Sequence, residues 1–229
     1  QLKAGSRYFD LRPYYDGKAI RLGHFGGMGG CYGPKLDDVL DQIRTFLNDN
    51  SARQEVITLK FSHTMSDSPI PAVISVPGSP ITIPNPAYQS TEQVAKATVT
   101  MVKEKLVGLL YTSSDANANL SKIRLQQVAG KVICCFDEEF KPQWDTRQGI
   151  FPFHDIPKDG DAAGKDNGVR IYDHYSETAS VGKMIDGQLS RLSQFGGWDN
   201  EYLFLLSWTL TGETGLLDVE VLAAMANPW

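Results

Sequence analysis

Short runs of β-forming residues alternate along this chain with stretches of helical period, and that alternation restricts the fold to strands joined by crossover helices. The clearest unit covers residues 36–62. Leu36, Val39, Leu40, Ile43, Phe46 and Leu47 fall at i, i+3, i+4, i+7, i+10 and i+11, one face of a helix ending near Asn50. Glu55 to Ser62 then reads as a strand. With it, the rhythm predicts six strands, the others at 7–12, 19–25, 131–137, 169–173 and 202–208. Further helices are expected over 91–110, 120–129 and 177–195, and onward from Leu216. Ser90 with Gln93 is a capping-box signature for the first of these. In 177–195, Val181, Met184, Ile185, Leu189 and Leu192 share one face. Pro34 stands where the helix of residues 36–50 would begin, and the glycines at 26, 27, 29, 30 and 33 make the stretch before it a loop. Residues 64–90, with six of the twelve prolines, and residues 138–168 read as long loops.

No repeat or shift in composition divides the 229 residues, so a single domain spanning 1–229 is expected. The fold class is α/β. Six strands are fewer than a (β/α)₈ barrel needs, and the pattern starts and stops in mid-run. The expectation is a distorted TIM (β/α) barrel with an element missing at each end. Apolar residues at 41% and charged ones at 21% suit a folded chain with a buried core. A net charge of −5 makes nucleic acid a poor partner, because phosphate affinity rests on clustered Lys and Arg. Tyr202 to Leu206, with Trp208 and Leu210 beyond, is the longest apolar stretch. It falls far short of the ~20 residues of a transmembrane helix. Cys134 and Cys135 are neighbours in a β-like run and should face opposite ways, as buried free thiols. Gln1 is not an initiator residue, so the sequence is expected to continue upstream, and its compartment stays open.

In a (β/α) barrel, functional groups sit at the C-terminal ends of strands. That rule selects Asp10 and Arg12, His24, Lys60 and Ser62, Asp137, Asp173 and Tyr175, and Trp208. Asp10 and Arg12 lie two apart and share a face, where they must pair or bind something charged. A structural ion pair and a binding site fit this equally. His24 precedes glycines that leave room for a ligand. His63, His154 and His174 are weaker candidates, and Asp159, Asp161, Asp166 and Asn167 lack the register of a calcium loop.

Several of these segments occur in a recognisable order. Gly5-x-Arg7-x-x-Asp10-x-Arg12, then Leu22-Gly23-His24-Phe25-Gly26, then Val39-Leu40-x-x-Ile43 and Phe46-Leu47, then Glu55 to Phe61, resemble the X-domain of phosphatidylinositol-specific phospholipase C. The likeness continues more loosely through Lys131–Phe136 and Ile171-Tyr172-Asp173-x-Tyr175. It implies a distorted TIM barrel that cleaves a phosphodiester beside an inositol ring. One histidine takes the proton of the attacking 2-hydroxyl, and another gives a proton to the departing diacylglycerol oxygen. His24 matches the second. Arg12 matches the arginine that metal-independent members place against the phosphate. Asp10 joins them in the implied catalytic set, while Lys60, Asp173 and Tyr175 match positions that hold inositol hydroxyls. No His-Asp pair precedes Arg7, so the general base is expected to lie outside these residues. Asp137 stands where some bacterial relatives carry an arginine.

The resemblance implies no cofactor, and it makes the partner a phospholipid substrate at a membrane surface. A secreted or peripheral location is expected over a nuclear one. Two alternatives remain: a metal-dependent glycerophosphodiester or sphingomyelinase D-type phosphodiesterase, and a catalytically inactive relative that binds lipid headgroups. The apolar residues of 64–90, including Val73, Ile74, Val76, Ile81 and Ile83, either enter the membrane interface from the barrel rim or pack on the chain's own helices.

Overall fold

A computed structural model describes residues 1–26, 29–64, 72–85, 88–164, 167–211 and 225. They fall into two units, Gln1–Ala118 with Ile123–Phe153, and Asn119–Lys122 with His154–Trp229.

The first unit is built on strands β1 (Tyr8–Leu11), β5 (Ile57–Phe61), β8 (Val132–Phe136) and β9 (Ile150–Asp155, whose last two residues belong to the second unit). They pair in that order, and every pairing is parallel. Strand β5 shows how the sequence divides the faces. Ile57, Leu59 and Phe61 are buried, while Thr58 and Lys60 between them are half-buried. Leu59 and Phe61 therefore point with Leu11, Cys134 and Phe136 into an apolar core. Helix α1 (Leu36–Asn48) closes that core with Leu36, Leu40, Ile43 and Leu47, on the spacing read from the sequence. Helix α2 (Thr91–Lys105) adds Ala95, Val99 and Val102. Its expected cap forms in full: the Ser90 hydroxyl accepts from Gln93 N at 3.3 Å, and Ser90 N donates to the Gln93 side chain at 2.8 Å. The rings of Phe61 and Phe136 stack at 4.6 Å, with Phe140 tilted against them.

Between β1 and α1 lies an antiparallel sheet of β2 (Pro13–Tyr15), β3 (Ile20–Gly26) and β4 (Gly29–Lys35). The β2–β3 turn contains Asp16-Gly17, with the Asp16 carboxylate accepting from Lys18 N and Ala19 N, each at 2.8 Å. The glycine loop expected after Phe25 is instead strand β4, and Pro34 lies within it rather than opening a helix. Glycine is used here for close approach. A Cβ on Gly30 would run into the carbonyl oxygen of His24 and into Phe25, its register partner across the ladder.

Other expectations change for local reasons. Strand β9 runs through the expected loop 138–168, its Ile-Phe-Pro-Phe core hidden in sequence among turn residues. The expected helix 120–129 is two tight turns, Leu120–Lys122 and Leu125–Val128. Leu120 N donates to the Gly168 carbonyl at 2.8 Å, and the Ser121 hydroxyl is taken by the backbone of Arg170, so this chain pairs with a strand instead of coiling. Residues 64–90 contain an antiparallel ribbon, β6 (Val73–Ser75) with β7 (Thr82–Pro84).

The second unit pairs β10 (Val169–Tyr172) with β11 (Leu203–Phe204) in parallel, and Leu205 N extends the ladder to the Tyr172 carbonyl at 3.0 Å. Turns at Trp208 and Thr209 stop β11 short of the expected 202–208. Helix α3 (Val181–Phe195) starts at Ser180, whose hydroxyl accepts from Lys183 N. Met184 and Gln188 form its buried side, while Leu189 and Leu192 are exposed, so the stripe expected from periodicity is only partly inward. The helix expected from Leu216 lies outside the described residues. Among the described residues six strands run parallel to a neighbour and helices link several of them, which gives the α/β class; eight would be needed for a complete barrel.

Gly30 generates a direct test. Gly30→Ala should lower the unfolding free energy by about 1–3 kcal/mol, as overpacking against backbone does. Gly33→Ala, whose new Cβ would meet only the Leu22 carbonyl at 3.4 Å, should stay within about 0.5 kcal/mol of wild type. Urea titration of both variants decides, and equal midpoints would remove the close-approach role of Gly30.

Candidate active site at the strand ends

Parallel pairing fixes which side chains meet. Asp10, Lys60, Cys135 and Phe151 are register partners on successive strands, so they form one row on the face turned away from α1 and α2. Leu11, Phe61 and Phe136 form the next row on the opposite face. One step further on, Arg12, Ser62 and Asp137 return to the first face at the C-terminal ends of β1, β5 and β8. Backbone bonds hold that step, from Ser62 N to the Leu11 carbonyl at 3.1 Å and from Asp137 N to the Phe61 carbonyl at 3.0 Å.

Three polar side chains of this face, with His24 from β3, are linked in series. The buried Ser62 hydroxyl donates to one Asp10 carboxylate oxygen at 2.9 Å. The other Asp10 oxygen lies 3.6 Å from Arg12 Nη2. Arg12 Nη1 is 3.0 Å from His24 Nδ1. A guanidinium offers only donors, so Nδ1 is the acceptor and the ring proton of His24 sits on Nε2. Both partners of the Asp10–Arg12 pair are about a third exposed, so its energy is small, about 0–1 kcal/mol. Its consequence is orientation. Arg12, expected from spacing to share a face with Asp10, is steered by it toward an imidazole that β3 delivers from the neighbouring sheet.

Lys60 lies beside this series with its ammonium 4.2 Å from the centre of the Phe153 ring, a cation–π contact that keeps the charge on the polar face. Cys134 and Cys135 are buried free thiols facing opposite ways, as expected. Burial pushes the Cys135 thiol well up despite the opposing pull of Lys60, and its Sγ donates to the Leu59 carbonyl at 3.4 Å. It is an inert wall of the site.

Asp137 is more unusual. Its oxygens accept from Glu139 N at 3.1 Å and His63 N at 3.2 Å, so it caps the turn Glu138–Gln143 and ties it to the end of β5. Burial, with the nearby Glu139 carboxylate, raises its pKa to about 6. His63 itself has a positive φ of 49°, an uncommon conformation for a residue with a Cβ. Sequence reasoning passed over both the Ser62–Asp10 contact and the strained His63. The only signal for Ser62 was its place two residues after Lys60 at a strand end.

Asp173 and Tyr175 belong to the second unit. The Asp173 carboxylate accepts from the Ser207 hydroxyl, and Ser207 N donates to Gln188 at 3.0 Å. Gln188 reaches back to the His174 carbonyl at 2.8 Å, so α3 and the segment after β11 together hold Asp173 in place. Tyr175 is exposed. His174 points the other way, its Nε2 lying 2.8 Å from the Ile156 carbonyl. Among the described residues, no three or more His, Cys, Asp and Glu side chains gather as metal ligands, and no helix is long and apolar enough to cross a membrane.

The raised pKa of Asp137 carries a pH dependence. The folded chain holds this proton more tightly than the unfolded chain, whose carboxyl has the ordinary value of 3.8. The stabilising contribution of the neutral form is therefore complete below that value and is lost as pH rises through about 6. Asp137→Asn keeps an oxygen for the cap but cannot ionise. Its stability relative to wild type should rise steadily between pH 4 and pH 7 in urea titrations, on the order suggested by this shift. Parallel curves would contradict the assignment.

No protein-family model matches the chain, and no curated protein sequence does either. Solved structures do. A phosphatidylinositol-specific phospholipase C from Staphylococcus aureus superposes with a TM-score of 0.53 at 17% identity, over 99% of this chain and 67% of that one. A calcium-dependent phosphoinositol-specific phospholipase C from a Gram-negative Pseudomonas gives 0.44 at 12% identity, over 87% and 73% of the two chains. A Ca²⁺-dependent phosphatidylinositol-specific phospholipase C from Streptomyces antibioticus gives 0.47 at 13%, over 98% and 84%. The chain thus has a fold like that of the phosphatidylinositol-specific phospholipases C, on the strength of the Staphylococcus aureus structure.

Proposed function

We propose that this chain is a phosphodiesterase domain of the phosphatidylinositol phospholipase C type, cleaving a lipid phosphodiester by general acid/base chemistry without a metal. The observation that carries the reading is the Arg12–His24 contact of 3.0 Å at the strand ends, with Asp10 behind it. A planar guanidinium can hold a phosphoryl oxygen by two parallel bonds and stabilise the charge that builds there in the transition state. An imidazole beside it is placed to move a proton.

In the proposed reaction the inositol 2-hydroxyl attacks phosphorus, and the bond from phosphorus to the diacylglycerol oxygen breaks. His24 gives its Nε2 proton to that oxygen. The base that takes the 2-hydroxyl proton is assigned to no residue of this chain. The contact with Arg12 gives His24 a means of responding to substrate. While Nη1 occupies Nδ1, that nitrogen cannot bind a proton. Once the guanidinium turns to phosphate, Nδ1 is free to do so, and the resulting imidazolium is the better acid. Lys60 adds a second positive charge on the same face. Asp173 and Tyr175 are proposed to receive inositol hydroxyls, the carboxylate as acceptor and the exposed ring along the sugar face. A divalent cation is disfavoured near Asp10, because Arg12 and Lys60 already bring two positive charges to that face.

Two measurements on the whole protein test this. Turnover of phosphatidylinositol in mixed micelles should fall by about 100- to 1,000-fold in kcat for Arg12→Ala with KM little changed, the pattern of an interaction made in the transition state. His24→Ala should cost about 100-fold or more. Unchanged kcat in either variant would overturn the assignment. Activity should also survive excess chelator. Loss of activity with chelator and its return with Ca²⁺ would favour the metal-dependent alternative, and tight headgroup binding without turnover would favour an inactive relative.

A further inference from the structure

Among the described residues the β6–β7 ribbon is a two-stranded sheet paired with no other strand, and such a ribbon alone is only marginally stable in water. Its register sorts its side chains. Ile74 pairs with Ile83, and Val76 N donates to the Ile81 carbonyl at 3.0 Å, so Ile74, Val76, Ile81 and Ile83 share one face. Val73, Ser75, Thr82 and Pro84 share the other. The aliphatic face is not covered: Ile74, Ile81 and Ile83 are 40%, 60% and 44% exposed. This decides against packing on the chain's own helices for these residues. Asn85 N closes the ribbon onto the Ala72 carbonyl at 2.8 Å, and Pro77 and Pro80 stiffen the turn between its strands.

Charge narrows what can cover this face. No Asp, Glu, Lys or Arg occurs from residue 68 to residue 91, although the whole chain carries 22 Lys+Arg and 27 Asp+Glu. An acidic or basic partner would find no counter-charge on the ribbon. The net charge of −5 also opposes approach to an anionic surface. Addition of a strand from a second copy is hindered because Pro84 presents no N–H in β7. A face of branched aliphatics without charge, stiffened by proline, matches the interface of a zwitterionic phospholipid layer, where apolar contact alone supplies affinity.

We propose that the β6–β7 ribbon docks the protein on zwitterionic phospholipid surfaces through Ile74, Val76, Ile81 and Ile83. A lipid layer as the occupant rests on the proposed lipid phosphodiester substrate, but the docking can be read without catalysis.

The test is co-sedimentation of the protein with phosphatidylcholine vesicles. Wild type should bind, and Ile74→Ser/Ile83→Ser should bind on the order of tenfold more weakly. Val73→Ser, on the other face, should bind as wild type does. Ile81→Trp should bind more strongly than wild type, a gain that misfolding cannot imitate. Arg12→Ala should sediment normally while losing turnover, which separates a failure of docking from a failure of the catalytic reading. Equal sedimentation of wild type and the double variant would overturn the proposal. So would binding to anionic vesicles alone, or a concentration-dependent dimer that the double variant abolishes.

Discussion

Parallel register between β1, β5 and β8 is the constraint on which the rest of the first unit depends. Because side chains alternate along a strand, one register sends Leu11, Leu59, Phe61, Cys134 and Phe136 under the helices and Asp10, Lys60, Cys135 and then Arg12, Ser62 and Asp137 to the other side. A slip of one residue would exchange the two sets and put four ionisable groups, Asp10, Arg12, Lys60 and Asp137, beneath α1 and α2. The core that stabilises the sheet and the polar row at its end are thus products of the same pairing. Stacking of Phe61 on Phe136 fixes the register on the buried face, immediately behind Ser62 and Asp137 on the polar one.

The polar row still lacks an imidazole, and the antiparallel sheet of β2, β3 and β4 brings one. Gly23 N bonds to the Arg12 carbonyl at 3.0 Å, which ties β3 to the chain leaving β1 one residue before His24. Gly30 lets β4 close on the other side of β3, against the His24 carbonyl. The edge contacts among Tyr14, Phe25 and Tyr32 rings, each near 4.8 Å, make this small sheet rigid despite its many glycines. His24 therefore stands on a strand held along both edges, which suits a group that must meet a guanidinium at hydrogen-bond distance.

What could be read from the sequence was what depends on local period. The apolar spacing of α1, the Ser90–Gln93 cap and the alternation in 55–62 all survive in the structure because each is decided within a few residues. Strand β4 was hidden because glycine has the same local signature in a loop as in a strand that needs close approach. Strand β9 was hidden because Pro152 interrupts it, and parallel pairing with β8, a tertiary fact, outweighs that penalty. The site divides in the same manner. Asp10 and Arg12 were legible from a spacing of two and His24 from its motif, whereas the Ser62–Asp10 bond and the Asp137–His63 tie join residues 52 and 74 positions apart. Such contacts follow from register, which no short window of sequence contains.

Arg12 and Lys60 bring positive charge to the strand ends of a chain whose net charge is negative. A net −5 predicts weak attraction to anions at long range, yet Arg12 and Lys60 face the same side of the sheet, with Asp10 beside them. Asp137, the other carboxyl in that neighbourhood, is pushed toward its neutral form by burial and by Glu139, and so subtracts less from the local positive field than its presence in the sequence suggests. Screening erases the global charge beyond a Debye length of about 8 Å, so an anion at the strand ends meets chiefly the groups of this row. Under the proposed function, recognition of a single phosphate is a short-range property of this row. Long-range charge would not bring such a row to a lipid layer, and the proposed docking by the uncharged ribbon supplies that step by apolar contact.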